Sequence, residues 1–432
     1  MQRTWLRVSK SIFPKVVTST LGPRPATTPC LKFSRLLSGL ASESVAARTS
    51  DIFSTSILSP SQTRATSLEV PICGQKQQFD YLWLRDHCQC SECIHPISKQ
   101  RMQDTLDIPE DVAPRRVQMR ADSLAIDWSD NHVSEYSMAF LSGLAPSVKP
   151  PAFEPTVWDA SSLPSVLPRA DFRSVSTDND ALKDFLSELR RFGFAFIDGV
   201  SPDADTTMGL ANRLGVTRKT IFGDFWDFTA DWTHSDTAYS DIALPLHTDS
   251  TYFTTAPGFQ MFHLLEFAGT GGESLLADGF AIAKWLREHR PESFHILSTV
   301  PLPYRYLDIE RGIHFENSTV TFTLDEDEVK TVRFNDSDRA PISLATLAAH
   351  NVDVRTVNTA IRDMCKALRD PQFLFQFQLQ PGSALVFDNQ RTFHGRTAFT
   401  GRRRLCGAYW EQEDLASSLR AHGGLRASEA WR

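Results

Sequence analysis

The run Leu244-Pro245-Leu246-His247-Thr248-Asp249-Ser250-Thr251-Tyr252-Phe253 decides how the rest of the chain is read. Pro245 to Phe253 reads as extended, and in an extended backbone residues two apart project to one face. His247 and Asp249 therefore share a face and can bind one metal ion. Two imidazoles and one carboxylate on one face of an octahedron leave three positions open, the arrangement of non-haem iron centres. The second imidazole must come from elsewhere. His394, in Asp388-Asn389-Gln390-Arg391-Thr392-Phe393-His394-Gly395-Arg396, is the best candidate, because it follows a C-terminal strand and is flanked by polar residues and Gly395. Nine residues later stands Arg403, in a basic run before the apolar Leu405 to Trp410. Its guanidinium matches a carboxylate in two-pronged fashion. His-x-Asp alone is more often a solvated surface pair, whereas the order His-x-Asp, long gap, His, Arg is far more specific.

Outward from this run the pattern is mostly β. Phe259 to Glu266, Ser274 to Asp278, a hairpin from Thr319 to Phe334 turning at Asp325 to Asp327, and Ala384 to Phe387 all read as short strands. Phe373, Phe375, Phe377 and Leu379 alternate with polar or oppositely facing residues before the Pro381-Gly382 turn. Ala181 to Phe192 places Leu182, Phe185, Leu186, Leu189 and Phe192 on one helical face, Phe194 to Val200 reads as a buried strand, and Pro202 to Leu214 as a second amphipathic helix. Helices outside many short strands predict a β-sandwich or jelly roll wrapped by helices. Proline- and serine-dense stretches near 54–67 and 146–168 act as linkers. They divide the chain into a leader and linker over 1–60, a small module over 66–145, a linker over 146–170, a large domain over 171–416 and a tail over 417–432.

Composition narrows the function. With 41% hydrophobic and 22% charged residues, the chain is neither disordered nor fibrous. No apolar run approaches the roughly 20 residues of a membrane-spanning helix, so it reads as soluble with no membrane span. The first 50 residues carry eight cations against the single acid Glu43, a net +7, amid many Ser and Thr. That is the composition of a mitochondrial transit peptide, and it predicts a matrix location. A disordered basic tail is the plainer alternative. Without the leader the body carries −14, which argues against nucleic acid as a partner.

Of seven cysteines, Cys88, Cys90 and Cys93 fall within six residues, a spacing that suits a metal better than a disulfide framework. Three thiolates need a fourth ligand to close a tetrahedral zinc site. His87 and His95 lie nearby, though each reads equally well as an exposed loop histidine. A closed site has no position for chemistry, so its role would be structural. Cys73, Cys365 and Cys406 read as ordinary buried thiols.

These residues resemble a known family. His247-Thr248-Asp249, Thr270-Gly271-Gly272-Glu273-Ser274 and His394 with Arg403 resemble the 2-oxoglutarate oxygenases related to taurine dioxygenase. From about Phe79 to Asp414 the chain resembles the narrower group of γ-butyrobetaine and trimethyllysine hydroxylases, through Trp83-Leu84-Arg85-Asp86-His87-Cys88-Gln89-Cys90-Ser91-Glu92-Cys93, Ala277-Asp278-Gly279-Phe280 and Phe387-Asp388-Asn389. The resemblance implies a double-stranded β-helix oxygenase domain behind a small zinc-binding, β-rich domain. It implies Fe(II) on His247, Asp249 and His394, 2-oxoglutarate held by Arg403 and Ser274, ascorbate as a helper, and zinc on Cys88, Cys90, Cys93 and His132. It also implies a homodimer. The reaction implied is oxidative decarboxylation of 2-oxoglutarate to succinate coupled to hydroxylation of an unactivated C–H bond.

A trimethylammonium group donates no hydrogen bond, so recognition falls to aromatic ring faces. Phe222, Trp226, Tyr239 and Tyr409 resemble the family's cage, although aromatic residues are usually core. Phe222 stands where this family is expected to have Tyr. Asp236 resembles a position where butyrobetaine enzymes have an amide, and an acid there suits the α-ammonium of N6-trimethyllysine. Ser250-Thr251-Tyr252-Phe253, Asp338-Arg339-Ala340 and Leu405-Cys406-Gly407 resemble the same group. Asn335 is placed near the substrate carboxylate, with a turn role as its plainer reading. Hydroxylation at carbon 3 of N6-trimethyllysine is the expected reaction. The alternatives are γ-butyrobetaine hydroxylation, sulfonate oxygenation that leaves the cysteine module and cage unused, a cupin-like isomerase that leaves Arg403 unexplained, and a non-catalytic binding protein on an oxygenase scaffold.

Overall fold

The computed structural model describes residues 66–72, 74–145, 155–163, 167–229 and 240–424, so the expected leader, Cys73, Asp236 and Tyr239 lie outside the described residues. The chain forms two compact units, Met1–Pro151 and Ala152–Arg432.

In the first unit, β1 (Ser67–Ile72) and β2 (Gln75–Asp80) form a hairpin that leads into α1 (Tyr81–Asp86). A three-stranded antiparallel sheet of β3 (Pro114–Met119), β4 (Ser123–Trp128) and β5 (Val133–Ser137) follows, then α2 (Met138–Leu144). Period-2 alternation along β4 buries Leu124, Ile126 and Trp128 against Val70, Ile72, Leu84 and Tyr136. The Trp128 indole N–H donates to Ser134 Oγ at 2.9 Å, so the largest side chain of this core leaves no polar group unpaired.

Two facing sheets build the second unit. The larger has the order β6 (Arg169–Asp171), β7 (Phe194–Asp198), β17 (Ser383–Asp388), β10 (Phe259–Gly271), β19 (Phe399–Trp410), β8 (Trp226–Thr229); the smaller runs β16 (Phe375–Phe377), β11 (Ser274–Asp278), β18 (Thr392–Arg396), β9 (Leu244–His247). Only β6 and β7 pair in parallel among these. This is the expected jelly roll. Side chains alternate along β10, so Phe259 and Met261 face an outer helical layer while Phe262 and Gln260 face the space between the sheets. The outer layer consists of α3 (Phe172–Thr177), α4 (Asn179–Phe192), α5 (Ala204–Leu214) and α10 (Gln412–Ala421). Leu182, Phe185, Leu186 and Leu189 of α4 are buried as the helical spacing predicts, and the helix stops at Gly193, whose φ of 77° a residue with a Cβ rarely adopts. A second cluster packs α6 (Gly279–His289), α7 (Pro291–Thr299), α8 (Leu344–Ala349) and α9 (Val354–Ala367) against the hairpins β12 (Leu302–Asp308) with β13 (Ile313–Thr319) and β14 (Phe322–Asp325) with β15 (Glu328–Val332).

Three expectations change. The extended run expected over Pro245 to Phe253 ends at His247, and the chain turns at Ser250, where φ is 56° and Phe253 N–H donates to Ser250 O at 3.0 Å. The linker expected over 146–170 is partly structural, because Trp158 is buried, its indole donates to Phe192 O at 2.7 Å, and β6 joins the large sheet. Its proline-rich composition conceals one anchoring tryptophan. The tail expected from 417 begins too early, since α10 continues to Ala421 and buries Leu419 with Leu415 in the outer core.

Candidate active site

Antiparallel pairing of β18 with β9 sets His394 directly opposite His247, with ring centroids 4.4 Å apart. Asp249 arrives from beyond the strand end. Asn389 holds it there: Asn389 Oδ1 accepts from Asp249 N–H at 2.8 Å and Nδ2 donates to Asp249 O at 3.2 Å. Oδ1 of Asp249 then lies 3.2 Å from His247 Nε2 and 3.5 Å from His394 Nε2. Adjacent vertices of an octahedron with bonds of roughly 2.1 Å are roughly 3.0 Å apart, so these three atoms can hold one metal ion in a facial arrangement. Their surroundings prepare them for that. His247 Nδ1 donates to Pro245 O at 2.7 Å, which leaves Nε2 as the lone-pair nitrogen. The His394 ring is wedged between Phe387 and Phe262, at 4.6 and 5.5 Å between centroids. Burial works against the Asp249 charge, but the two imidazoles outweigh it and hold the carboxyl well below its usual range. Burial and the neighbouring His247 push His394 down, against the pull of the Asp249 carboxylate.

The triad opens into a cavity of about 140 Å³ between the sheets. Arg403 lines one end and is 7% exposed. Burial and the like charge of Arg396 push it down to about 9. Its ring neighbour is Phe399, 5.7 Å from the guanidinium carbon, and no carboxylate among the described residues pairs with it. A desolvated cation in that position calls for an anionic ligand. Ser274 lies on β11 opposite Arg396 in register and lines the same cavity, as the Thr270 to Ser274 segment suggested. Phe222, Trp226 and Tyr409 form the aromatic wall, with Trp226 and Tyr409 centroids 6.1 Å apart and Phe222 turned toward Tyr306 at 6.3 Å. Asn335 lines the cavity with Ser337 and Asp338, and its Oδ1 accepts from Ser337 N–H at 3.0 Å, which is the plainer turn role.

Arg396, Gln260 and Asp338 also line the cavity; sequence reading missed Gln260 and gave Arg396 and Asp338, which stand in matching segments, no role there. Arg396 was visible two residues after His394, but its role in tying β18 to the chain before β9, through Ser240 O at 2.6 Å and Ile242 O at 3.0 Å, depends on distant packing. Gly407, in the Leu405-Cys406-Gly407 segment, is required by close packing. A Cβ there would lie 1.9 Å from Met261 O and 2.5 Å from the Trp226 ring, so the glycine makes room for that indole.

In the other unit, Cys88, Cys90 and Cys93 surround His132, whose Nε2 lies 3.2, 3.6 and 3.5 Å from the three sulfurs. Bonds of about 2.3 Å to sulfur and 2.0–2.1 Å to nitrogen at tetrahedral angles put sulfur and nitrogen roughly 3.5 Å apart, so the donor set fits zinc. His132 reaches the thiols from the β4–β5 turn, where Asn131 adopts a φ of 67°. Arg85, paired to Asp130 at 2.8 Å, also points a guanidinium nitrogen at Cys93 Sγ, 3.7 Å away, which suits a site whose three thiolates exceed the ion's charge.

Comparison with known proteins gives this geometry a lineage. The model of the taurine catabolism dioxygenase TauD, TfdA family matches residues 150–409, and that of the γ-butyrobetaine hydroxylase-like N-terminal domain matches 62–142. The trimethyllysine dioxygenase of Meyerozyma guilliermondii is 38% identical over 80% of this chain and 90% of its own length. The mitochondrial trimethyllysine dioxygenase of Gallus gallus is 35% identical, covering 84% of this chain and 87% of its own. The γ-butyrobetaine dioxygenase of a Pseudomonas species is 30% identical over 80% and 91%. This chain is therefore a dioxygenase of the TauD, TfdA family, from the branch that contains the trimethyllysine and γ-butyrobetaine dioxygenases.

Proposed function

We propose that this chain hydroxylates N6-trimethyllysine at carbon 3 with Fe(II) and 2-oxoglutarate, the entry to carnitine synthesis. One observation carries the reading: a two-histidine, one-carboxylate cluster shares a cavity with a buried, uncompensated guanidinium and an aromatic wall. His247, Asp249 and His394 would hold the iron, and Arg403 with the Ser274 hydroxyl the distal carboxylate of 2-oxoglutarate. Bound together, iron and the 2-oxo acid would let dioxygen serve as the oxidant, one of its oxygen atoms ending in succinate and the other in the new hydroxyl. The protein's own task is placement. Phe222, Trp226, Tyr239 and Tyr409 receive the trimethylammonium, and their ring faces hold a cation that cannot hydrogen-bond. At the other end Asn335 serves the α-carboxylate and Asp236 the α-ammonium. Asp338 adds a second acid there, positioned by Thr251 Oγ1 donating to its Oδ2 at 2.7 Å. An acid at that end favours trimethyllysine over γ-butyrobetaine, which has no α-ammonium.

Zinc on Cys88, Cys90, Cys93 and His132 completes the reading as a structural ion, and ascorbate keeps the iron ferrous. Homodimeric assembly in the mitochondrial matrix belongs to the same reading; the Gallus gallus relative is named mitochondrial. Among the described residues no helix is long and apolar enough to cross a membrane. The test is succinate release from purified protein with Fe(II) and 2-oxoglutarate, with trimethyllysine and γ-butyrobetaine supplied separately. Trimethyllysine should drive turnover, and Asp236→Asn and Asp338→Asn should each harm it more than any residual γ-butyrobetaine turnover. Equal or preferred use of γ-butyrobetaine by the unaltered protein would move the assignment to the sister activity.

A further inference from the structure

Tyr409 faces two ways at once. Its ring belongs to the aromatic wall, while its hydroxyl donates to Asp249 Oδ2 at 2.8 Å and accepts from Gln260 Nε2 at 3.2 Å. The direction of each bond follows from chemistry. An ionised carboxylate can only accept, so the phenol proton points at Asp249, and the phenol oxygen must then receive the Gln260 amide N–H. Reversing that amide would set its carbonyl oxygen against an oxygen that has already given its proton away.

Gln260 occupies this position at a cost. It is 2% exposed, and its Oε1 is buried with no hydrogen-bond partner among the described residues. An orphaned buried carbonyl destabilises the fold, because it gives up its hydrogen bond to water and gains none in return. An apolar side chain would avoid that penalty on the inner face of β10, where Phe262 is the next inward residue. Gln260 and Tyr409 are also direct cross-strand partners between β10 and β19, so sheet register, not a flexible loop, sets their contact. The outcome is specific: Oδ2 of Asp249 is occupied, and Oδ1 remains to face the two imidazoles at 3.2 and 3.5 Å.

We propose that Tyr409 is a positioning residue for the metal ligand Asp249, with Gln260 fixing its hydroxyl, so that one side chain serves both the substrate wall and the metal centre. The proposal rests on the reading that Asp249 binds iron. It makes the phenol ring a mechanical link: a cation seated on its face bears on the carboxylate through the hydroxyl. Coupling of this kind is reciprocal, so substrate and metal should each alter the other's affinity.

Anaerobic Fe(II) titration in the presence of 2-oxoglutarate, followed by the visible absorption of the metal–oxo-acid complex, tests this on the full chain. Tyr409→Phe keeps the ring and removes only the hydroxyl. It should weaken Fe(II) binding about tenfold or more, the loss expected when a partner of a metal ligand is removed, and should shift the absorption band. Gln260→Leu should move both readouts in the same direction by less, and trimethyllysine should tighten Fe(II) binding in the unaltered protein but not in Tyr409→Phe. Melting of the metal-free proteins reports folding, and if Tyr409→Phe does not fold, Gln260→Leu decides. Unaltered Fe(II) affinity and band position in the folded variants would overturn the proposal. Failure of the unaltered protein to bind Fe(II) at all would instead overturn the iron reading beneath it.

Discussion

Arg403 carries a charge that nothing among the described residues cancels, and that has opposite consequences in the empty and the loaded protein. Without an anion, the buried guanidinium loses hydration and faces the like charge of Arg396, whose own guanidinium burial pushes down to about 10. Replacing it with a similarly shaped apolar chain should relieve that cost. Arg403→Met is therefore expected to raise the melting temperature of the metal-free protein by a few degrees, equivalent to ~1 kcal/mol. The same change should raise the KM for 2-oxoglutarate about thirtyfold or more, since losing one partner of a buried charge pair costs roughly 2–5 kcal/mol. Thermal melts with and without 2-oxoglutarate, beside succinate kinetics, check both signs. A variant that melts lower and keeps its KM would mean that the cation is compensated within the protein. Arg403 was legible in the sequence because a basic residue before an apolar strand, downstream of His394, has a chemical use. Gln260 was not, because nothing local distinguishes it, and Asp338 stood in a matching segment with no role attached; each acquires its position from a partner 149 or 87 residues away.

Strand pairing decides what the outer face of the large sheet can tolerate, and His263 shows it. Alternation along β10 turns this imidazole away from the cavity, under α5, where its Nδ1 and Thr207 Oγ1 are 2.7 Å apart and its Nε2 has no partner among the described residues. Cys406 sits opposite on β19, its thiol pushed by burial up to about 12. Burial lowers His263 to about 4, and the Asp203 carboxylate offsets only part of that. In the unfolded chain the ring titrates near 6.5. As pH falls through 6.5 the unfolded state takes up a proton that the folded state refuses, so stability is lost down to about 4 and is flat below it. The slope is at most about 1.4 kcal/mol per pH unit. Urea unfolding at pH 7, 6 and 5 should show this loss in the unaltered protein and a shallower one in His263→Leu; parallel slopes would assign the acid sensitivity to other groups. The helix α4 was readable from sequence because one face of it meets an apolar core at helical spacing, and β17 because it is a short apolar run buried on both faces. The segment after His247 was misread because Tyr252 and Phe253, residue types common in strands, are here buried in a turn. Composition likewise hid Trp158 among prolines.

At the scale of the whole molecule, the described residues hold two metal-capable clusters with different chemistry, one in each unit. The triad of the large unit has three ligands and an open cavity, whereas the three thiols and His132 close a tetrahedron with no position to spare. The small unit's core of Val70, Leu84, Ile126, Trp128 and Tyr136 is modest, and a metal bound only by the folded form would add its binding energy to that core. Without metal the thiols oppose one another: burial and the neighbouring sulfurs push Cys93 up to about 12 and raise Cys88 as well. Binding must displace those protons, so affinity should fall as pH falls, and acidification should release the ion. Metal analysis of the purified protein should give one zinc per chain, and Cys90→Ser should lose it. Hydrogen exchange should then show amides of β4 and β5 losing several kcal/mol of protection. Fe(II) titration of the same variant, read by the absorption of the 2-oxoglutarate complex, should still saturate, because every proposed iron ligand lies in the other unit. Full zinc content with unchanged exchange in Cys90→Ser would remove Cys90 from the site, and loss of Fe(II) binding would show that the large unit depends on the small one to fold.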